Sequence, residues 1–131
     1  MIYCDSSALL KLIFLEPETA ELRQWLFART DSPLTSSELA RVEVLRGCRR
    51  VDESVLPAAR ALLADLELIP LSGRVIDTAG DLPDPLLRSL DALHLASALS
   101  IAPDLTAFIA YDRRLSAAAA EAGLNTVQPG A

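Results

Sequence analysis

The sequence predicts an α/β fold in which helices cover both faces of a mainly parallel sheet. Short apolar segments alternate with amphipathic segments of helical period along the whole chain, and this alternation is typical of parallel strands that are connected by helices. Hydrophobic residues make up 51% of the composition, which excludes a disordered chain. The length of 131 residues fits one domain over 1–131, because it buries a core without disulfides or structural metals.

The first strand and the first helix meet at a short polar segment. Residues 1–4 are mostly apolar and predict a buried strand. Asp5, Ser6 and Ser7 follow, and these are residue types that begin helices. The apolar run over 8–15 then continues as a helix. We therefore predict a switch from strand to helix at Asp5.

Two helices and a strand between them are predicted next along the chain. A helix is expected over 17–28, since it would begin with a proline, a favoured first helical residue. Residues 33–35 predict a short strand. Thr35 and Glu38 have the spacing of a capping box. A helix is therefore predicted over 37–50.

The remaining elements follow the same two periodicities. In chain order they are a helix over 55–65, a strand over 66–71, a short helix over 72–79 and a proline-rich loop over 80–85. Ser89 is expected to cap a helix that runs to residue 100, and a strand follows over 107–110. The last elements are a helix over 113–122, closed by Gly123, and an edge strand over 126–128.

The charge and the cysteines exclude several classes of protein. A formal net charge of −6 argues against binding nucleic acid through the overall field, so any contact with RNA must be local. No apolar run approaches the roughly 20 residues that span a bilayer, and Asp5 interrupts any signal-peptide core. We expect a cytoplasmic protein without a membrane partner. Cys4 and Cys48 lack the spacing of metal ligands and are expected as buried thiols.

Two acidic residues are predicted where open α/β sheets bind ligands, and a third lies at the start of a helix. Asp5 and Asp112 each follow a predicted strand, at its carboxyl end. Asp91 lies in the first turn of a predicted helix, on the same stripe as the apolar Leu95. Each has a structural alternative: Asp5 and Asp112 are also good N-caps, and a helix dipole favours an acid in the position of Asp91.

A fourth acid, Glu43, falls at the edge of the apolar face of its helix. Its structural alternative is a surface ion pair with Arg46, three residues on. Four carboxylates in one cleft would repel one another unless a cation neutralised them. Mg²⁺ and Mn²⁺ prefer oxygen ligands, and such sites perform phosphoryl chemistry by polarising a phosphate and activating a water.

Four segments carry a recognisable pattern. They are IYCDSSAL at 2–9, VEVLR at 42–46, SLDALHLA at 89–96 and YDRRL at 111–115. Together they closely resemble the PIN-domain ribonucleases, and among them the VapC toxins of bacterial toxin–antitoxin pairs. The segment around Asp91 is the most specific of the four.

The resemblance implies a fold, an activity and partners. The fold would be a Rossmann-like α/β/α sandwich, and the activity Mg²⁺- or Mn²⁺-dependent endonucleolytic cleavage of RNA. A VapB antitoxin would neutralise the toxin, which would itself form a homodimer. Carried over by position, the acidic quartet that serves catalysis and binds the metal is Asp5, Glu43, Asp91 and Asp112.

Two further positions follow from the same resemblance. Ser7 matches a small hydroxyl residue beside the first acid, where it could hold a metal-bound water. Ala110 departs from the pattern, because related sequences often have Thr or Ser ahead of Tyr-Asp. A hydroxyl that would support Asp112 is therefore missing.

The arginines and the single histidine have weaker claims. Arg46 and Arg50 belong to a locally basic stretch, and with Arg113 they are candidates for contacts with RNA or antitoxin; a solvated helix face explains the stretch equally well. His94 could face the cleft of Asp91, but a packed or locally hydrogen-bonded histidine is favoured and we leave it out of the site.

An apolar surface is also predicted near the N-terminus. Residues 9–15 are unusually apolar, and Trp25 and Phe27 follow them. Core packing explains most of this segment. The excess could line a groove for an antitoxin helix or a homodimer face.

Two other functions compete with a nuclease. A phosphatase with an aspartate nucleophile would have a second Asp two residues after Asp5 and a catalytic lysine. Ser7 occupies that position, and the sole lysine, Lys11, lies within the first helix. The second alternative is an interaction module that keeps the fold without activity, and the presence of all four acids argues against it.

Overall fold

The computed structural model describes residues 1–131, and its architecture confirms the predicted α/β class. Five strands form one parallel sheet: β1 (Ile2–Cys4), β2 (Leu34–Ser37), β3 (Glu67–Ile69), β4 (Ala107–Ile109) and β5 (Thr126–Val127). Seven α-helices flank it: α1 (Ser6–Ile13), α2 (Thr19–Phe27), α3 (Leu39–Val51), α4 (Leu56–Asp65), α5 (Gly73–Gly80), α6 (Ser89–Leu99) and α7 (Arg113–Glu121). Short 3₁₀ turns cover Glu53–Val55 and Ala102–Asp104.

The strand order places a ligand-binding crevice beside the first strand. The order is β3-β2-β1-β4-β5, with all neighbours parallel. The chain builds outward from β1 to β2 and β3 and then returns to the other side of β1 with β4. Ile2 consequently pairs with Leu34 on one side and with Ala107 on the other. Open α/β sheets bind ligands where the strand order reverses, outside the carboxyl ends of the strands.

Two apolar cores lie on opposite faces of the sheet, because successive strand residues point to opposite sides. Ile2 and Ile109 belong to the core that lies under α1 and α3. Tyr3 and Phe108 belong to the core that lies under α6 and α7, and their rings stack 5.2 Å apart. Both faces of the short strands are buried, which agrees with their near-continuous apolar sequence.

The predicted capping box of Thr35 and Glu38 is wrong. Thr35 is buried in β2, where its Oγ1 donates to the carbonyl of Glu67 over 2.6 Å. Thr35 therefore belongs to the sheet and does not cap the helix that follows. The N–H of Leu39 instead donates to Ser37 Oγ over 3.1 Å.

Two predicted helix starts also shift. The second helix begins at Thr19, after a turn at Pro17 and Glu18. Thr19 Oγ1 accepts the N–H of Glu16 and donates to the carbonyl of Lys11, so the hydroxyl fixes the turn that precedes the helix.

The sixth helix begins at Ser89 itself, with Arg88 in the cap position and no side-chain cap. The predicted end of the last helix is confirmed. Gly123 follows α7 with a φ of 94°, in the left-handed region that favours glycine.

Cys4 and Cys48 are buried free thiols, as predicted. None of the helices combines the length with the apolar character that crossing a bilayer requires.

Candidate active site

A cleft of about 360 Å³ opens at the carboxyl ends of β1 and β4, where the N-terminal ends of three helices meet. It brings together all four predicted acids, with the predicted Ser7 and Arg50. The lining residues are Asp5, Ser6, Ser7, Leu10, Lys11, Glu43, Arg50, Arg88, Asp91, His94, Tyr111 and Asp112. The cleft is therefore at the edge of the sheet where the sequence places a ligand.

Asp5 is both the cap of α1 and a wall of the cleft. Its Oδ1 accepts the N–H of Ala8 over 2.9 Å and the hydroxyl of Ser7 over 2.7 Å. The residue is only 4% exposed. Burial raises the pKa of Asp5, and the charge of Asp91 acts in the same direction, although the two hydrogen bonds and His94 oppose the increase. The charged form of Asp5 is thus disfavoured in the metal-free protein.

Glu43 reaches the cleft from α3, and its partners come from two other helices. Its Oε1 accepts the hydroxyl of Ser6 over 2.6 Å and lies 2.7 Å from His94 Nε2. Burial acts to raise the pKa of Glu43, but the hydrogen bonds from His94 and Ser6 outweigh it and lower the pKa. The surface ion pair with Arg46, considered as the alternative role, does not form.

Asp91 is the least satisfied acid of the cleft. It is half-buried in the first turn of α6, and its carboxylate makes no hydrogen bond or ion pair within the chain. Burial raises the pKa of Asp91, and the charges of Asp112 and Glu43 raise it further, although His94 and Arg88 act to lower it. The nearby positive charge therefore does not offset the burial of this carboxylate and its repulsion by the other acids.

Asp112 is exposed and caps α7, with its Oδ1 accepting the N–H of Leu115 over 2.9 Å. The predicted alternative role as an N-cap is therefore real. Asp112 can cap α7 and also belong to the site, because it lines the cleft. Asp5 has the same double position at the start of α1.

The arginines divide between the cleft and the outer surface. Arg50 lines the cleft, whereas Arg46 lines a separate hollow on the outer side of α3, together with Arg41. Arg113 is exposed as the first residue of α7 and does not line the cleft.

Two cationic residues of the cleft were missed in the sequence. Arg88 occupies the N-cap position of α6, three residues before Asp91, and that spacing could have indicated it. Lys11 lies one turn after Ser7 on α1, and its ammonium sits 4.7 Å from the centre of the Tyr111 ring. The ammonium of Lys11 also forms ion pairs with Glu18 over 3.0 Å and with Glu16 over 3.4 Å, so its charge is largely balanced by acids outside the quartet.

Comparison with known proteins identifies the family. Residues 2–121 match the PIN domain family. The chain is 46% identical to Ribonuclease VapC47 of Mycobacterium tuberculosis (strain CDC 1551 / Oshkosh), over 100% of this chain and 98% of that protein. This chain belongs to the VapC ribonucleases of the PIN-domain family. It is also 44% identical to Ribonuclease VapC46 of M. tuberculosis (strain ATCC 25618 / H37Rv), over 98% of this chain and 97% of that protein.

Solved structures of VapC proteins share the fold. VapC20 of M. tuberculosis, described as a toxin that cleaves the sarcin-ricin loop, superposes with a TM-score of 0.76 at 18% identity. That match covers 98% of this chain and 100% of VapC20. VapBC2 from Rickettsia felis, bound to a DNA fragment from its promoter, gives a TM-score of 0.74 at 17% identity over 98% and 99% of the two chains. The predicted family and the Rossmann-like fold are therefore confirmed.

The donor set of this VapC protein fits a hard divalent cation by its chemistry. The four acids supply only carboxylate oxygens, which suit Mg²⁺ or Mn²⁺ better than softer metals. No three His, Cys, Asp or Glu side chains, however, stand in ligand geometry. Asp5, Glu43 and Asp112 each direct one oxygen to a protein donor. Their second oxygens make no hydrogen bond, and both oxygens of Asp91 remain unbonded.

His94 is buried and locally hydrogen-bonded, as the sequence favoured, but one of its partners is a predicted site residue. It is 1% exposed and lies between Glu43 and Tyr3, with Nδ1 at 2.7 Å from the Tyr3 hydroxyl. The position of His94 three residues after Asp91 was readable from the sequence. Its partners were not, because they come from β1 and α3.

Proposed function

We propose that this VapC protein is a metal-dependent endoribonuclease in which Asp5, Glu43, Asp91 and Asp112 hold Mg²⁺ or Mn²⁺. The carboxylate of Asp91 carries the proposal. It is half-buried and without a partner, in a cleft with three further acids, and both burial and Asp112 raise its pKa. Such a cluster is unfavourable in the absence of a cation that neutralises it.

The residues around the acids prepare them for this role. Ser7 and the N–H of Ala8 orient one oxygen of Asp5, so that the other stays free for a ligand. Ser6 and His94 do the same for Glu43. A divalent cation, when bound here, supplies the Lewis acidity that polarises a phosphodiester and activates water.

The substrate class follows from the local positive charge. Arg50 and Arg88 line the same cleft as the acids and can bind phosphate oxygens beside the reacting one. The net charge of −6 requires such contacts to be local. Arg46 and Arg113 lie outside the cleft and remain candidates for contacts with RNA beyond the cleaved bond or with an antitoxin.

We further propose that the chain is the toxin of a type II toxin–antitoxin pair, acts in the cytoplasm and is neutralised by a VapB antitoxin. The similarity to VapC proteins over the full chain supports this, and the VapBC2 assembly contains an antitoxin beside a toxin of this fold. Leu15 and Phe27 are 86% and 80% exposed, and these side chains are candidates for the antitoxin groove or the homodimer face predicted from the sequence.

Metal dependence of RNA cleavage tests the enzymatic proposal. The purified chain is incubated with total RNA in EDTA, and then with excess Mg²⁺ or Mn²⁺. Cleavage that stops in EDTA and returns with either cation is expected. Cleavage that continues unchanged in EDTA would contradict the metal site.

The toxin proposal has a separate test in a bacterial host. Induced expression of the chain alone should arrest growth, and coexpression of its cognate antitoxin should restore it. Normal growth with abundant folded toxin and no antitoxin would contradict toxicity, and sequencing of RNA ends after induction identifies the RNA that is cut.

A further inference from the structure

His94 connects the core of the protein to the candidate metal centre. Its ring is 1% exposed and stands edge-on to the buried ring of Tyr3, 5.9 Å between centres. Nδ1 lies 2.7 Å from the Tyr3 hydroxyl, and Nε2 lies 2.7 Å from Glu43 Oε1. Ser6 Oγ is 3.2 Å from the same Nε2. Both ring nitrogens therefore have partners, one in the core and one in the cleft.

The partners determine which nitrogen carries the proton. An ionised carboxylate only accepts hydrogen bonds, so the 2.7 Å contact requires an N–H at Nε2 of His94. In the neutral ring Nδ1 is then an acceptor, and the hydroxyl of Tyr3 donates to it. The hydrogen bonds run in one direction, from Tyr3 to His94 and from His94 to Glu43.

We propose that Tyr3 and His94 form a positioning network that fixes the carboxylate of Glu43 for cation binding. Oε1 of Glu43 is held by two donors, Ser6 and His94, from two helices. Oε2 makes no hydrogen bond within the chain and is left available to a cation. The inference rests on the proposed function, because it assumes that Glu43 is a ligand.

The network satisfies the hydrogen-bonding groups of the buried Tyr3 and His94 side chains. Two apolar side chains in place of Tyr3 and His94 would pack the core without hydrogen bonds, whereas each polar group requires a partner when buried. Groups that hydrogen-bond to metal ligands orient those ligands, and their loss typically costs about 10-fold to 100-fold in metal affinity. His94 touches neither metal nor substrate in this account and acts through Glu43.

The wild-type protein allows a direct test, because His94 is its only histidine. Long-range ¹H–¹⁵N spectra of the uniformly labelled chain at neutral pH give the protonation of each ring nitrogen without assignment ambiguity. The network predicts a protonated Nε2 and an unprotonated Nδ1. A protonated Nδ1 would overturn the proposed direction of the hydrogen bonds.

A pair of variants tests the effect on Glu43. His94→Gln keeps an N–H donor within reach of Glu43, whereas His94→Leu removes the donor at similar size; neither reproduces the Nδ1 acceptor for Tyr3. Mn²⁺ affinity is measured by electron paramagnetic resonance of free Mn²⁺, and folding by thermal melting. We expect His94→Leu to bind Mn²⁺ about tenfold more weakly than wild type, and His94→Gln to recover most of the loss.

The outcomes separate this inference from the proposed function. Wild-type Mn²⁺ affinity in a folded His94→Leu protein would overturn the positioning role alone. Equal weakening in both variants would also overturn it, because the donor would then not matter. A wild-type chain that binds no Mn²⁺ would overturn the metal centre as well. If His94→Leu does not fold, the spectrum of the unaltered protein still tests the network, because a protonated Nδ1 would overturn it.

Discussion

The backbone N–H of Asp5 donates to the carbonyl of Ile109 over 3.1 Å. This bond continues the pairing of β1 and β4 by one residue, up to the point where both strands end. Asp5 is consequently fixed at the crevice between the two strands, while its side chain caps α1. The position of the first acid is set by the sheet and by the helix together.

The cap and the charge of Asp5 are separable. Asp5→Asn keeps an oxygen for the N–H of Ala8, and Asn caps helices as well as Asp does. We expect this variant to melt no lower than wild type without metal, since a buried charge is removed, and to lose Mn²⁺ binding. Asp5→Ala removes the charge and the cap together, so it should be about 1 kcal/mol less stable than Asp5→Asn. An Asp5→Asn protein that binds Mn²⁺ as wild type does would exclude Asp5 as a ligand.

Asp91 should make the metal-free protein less stable at neutral pH. A carboxyl group whose pKa is raised on folding binds protons more tightly when folded, so its effect on stability becomes less favourable as pH rises through the range above 3.8, the ordinary value. Asp91→Asn should therefore melt a few degrees higher than wild type at pH 7, and the difference should shrink as the pH falls towards the ordinary value of 3.8. Thermal melting of both proteins in EDTA from pH 4 to 8 measures this. A difference that does not change with pH would argue against the charge as its cause.

Excess Mg²⁺ or Mn²⁺ should reverse that order. A cation that binds the folded state alone stabilises it according to its concentration and affinity. The melting temperature of wild type should rise with added Mn²⁺, and that of Asp91→Asn should rise much less. An equal increase in both proteins would mean that the cation binds elsewhere.

Asp112 offers a control for its own two roles. Asp112→Asn retains an acceptor for the N–H of Leu115, so its melting temperature should equal that of wild type. Asp112→Ala should lose about 1 kcal/mol with the cap. Both variants should bind Mn²⁺ more weakly in an equilibrium titration. Unaltered affinity in both would restrict Asp112 to capping.

Arg50 should contribute one phosphate contact. RNA binding is measured in the Asp91→Asn background, which prevents cleavage, at several salt concentrations. Removal of Arg50 should weaken binding and reduce the slope of log affinity against log salt by about one. Arg60, which is exposed on α4 away from the cleft, is the matched control. Equal effects of Arg50→Ala and Arg60→Ala would contradict a contact in the cleft.

Local features of the sequence were sufficient to predict the positions of Asp5 and Asp112 at the edge of the sheet. In each case a short apolar strand, an acid and a helix follow one another directly, and the parallel sheet brings such ends together. Thr35 shows the limit of this reasoning. Its spacing to Glu38 is that of a cap, but pairing with β3, which lies some thirty residues away in the chain, determines its conformation.

The partners of Glu43 and the cations of the cleft depend on packing. Ser6, Glu43 and His94 lie on three helices, and no spacing in the sequence relates them. Arg46 and Arg50 look equivalent in the sequence, because they lie one turn apart on the same helix. Arg46 nevertheless lies on the outer surface, whereas Arg50 lines the cleft. Such distinctions require the crossing of α1, α3 and α6, which only the folded chain provides.

Cleavage of RNA by Asp91→Asn tests the central claim most directly. The control is Asp81→Asn, because Asp81 is an exposed acid at the end of α5 without a side-chain hydrogen bond. With equal circular dichroism spectra and excess Mg²⁺, we expect Asp81→Asn to cleave as wild type does and Asp91→Asn to cleave no RNA above the rate in EDTA. Cleavage by Asp91→Asn at the wild-type rate would contradict the acidic cleft as the active site.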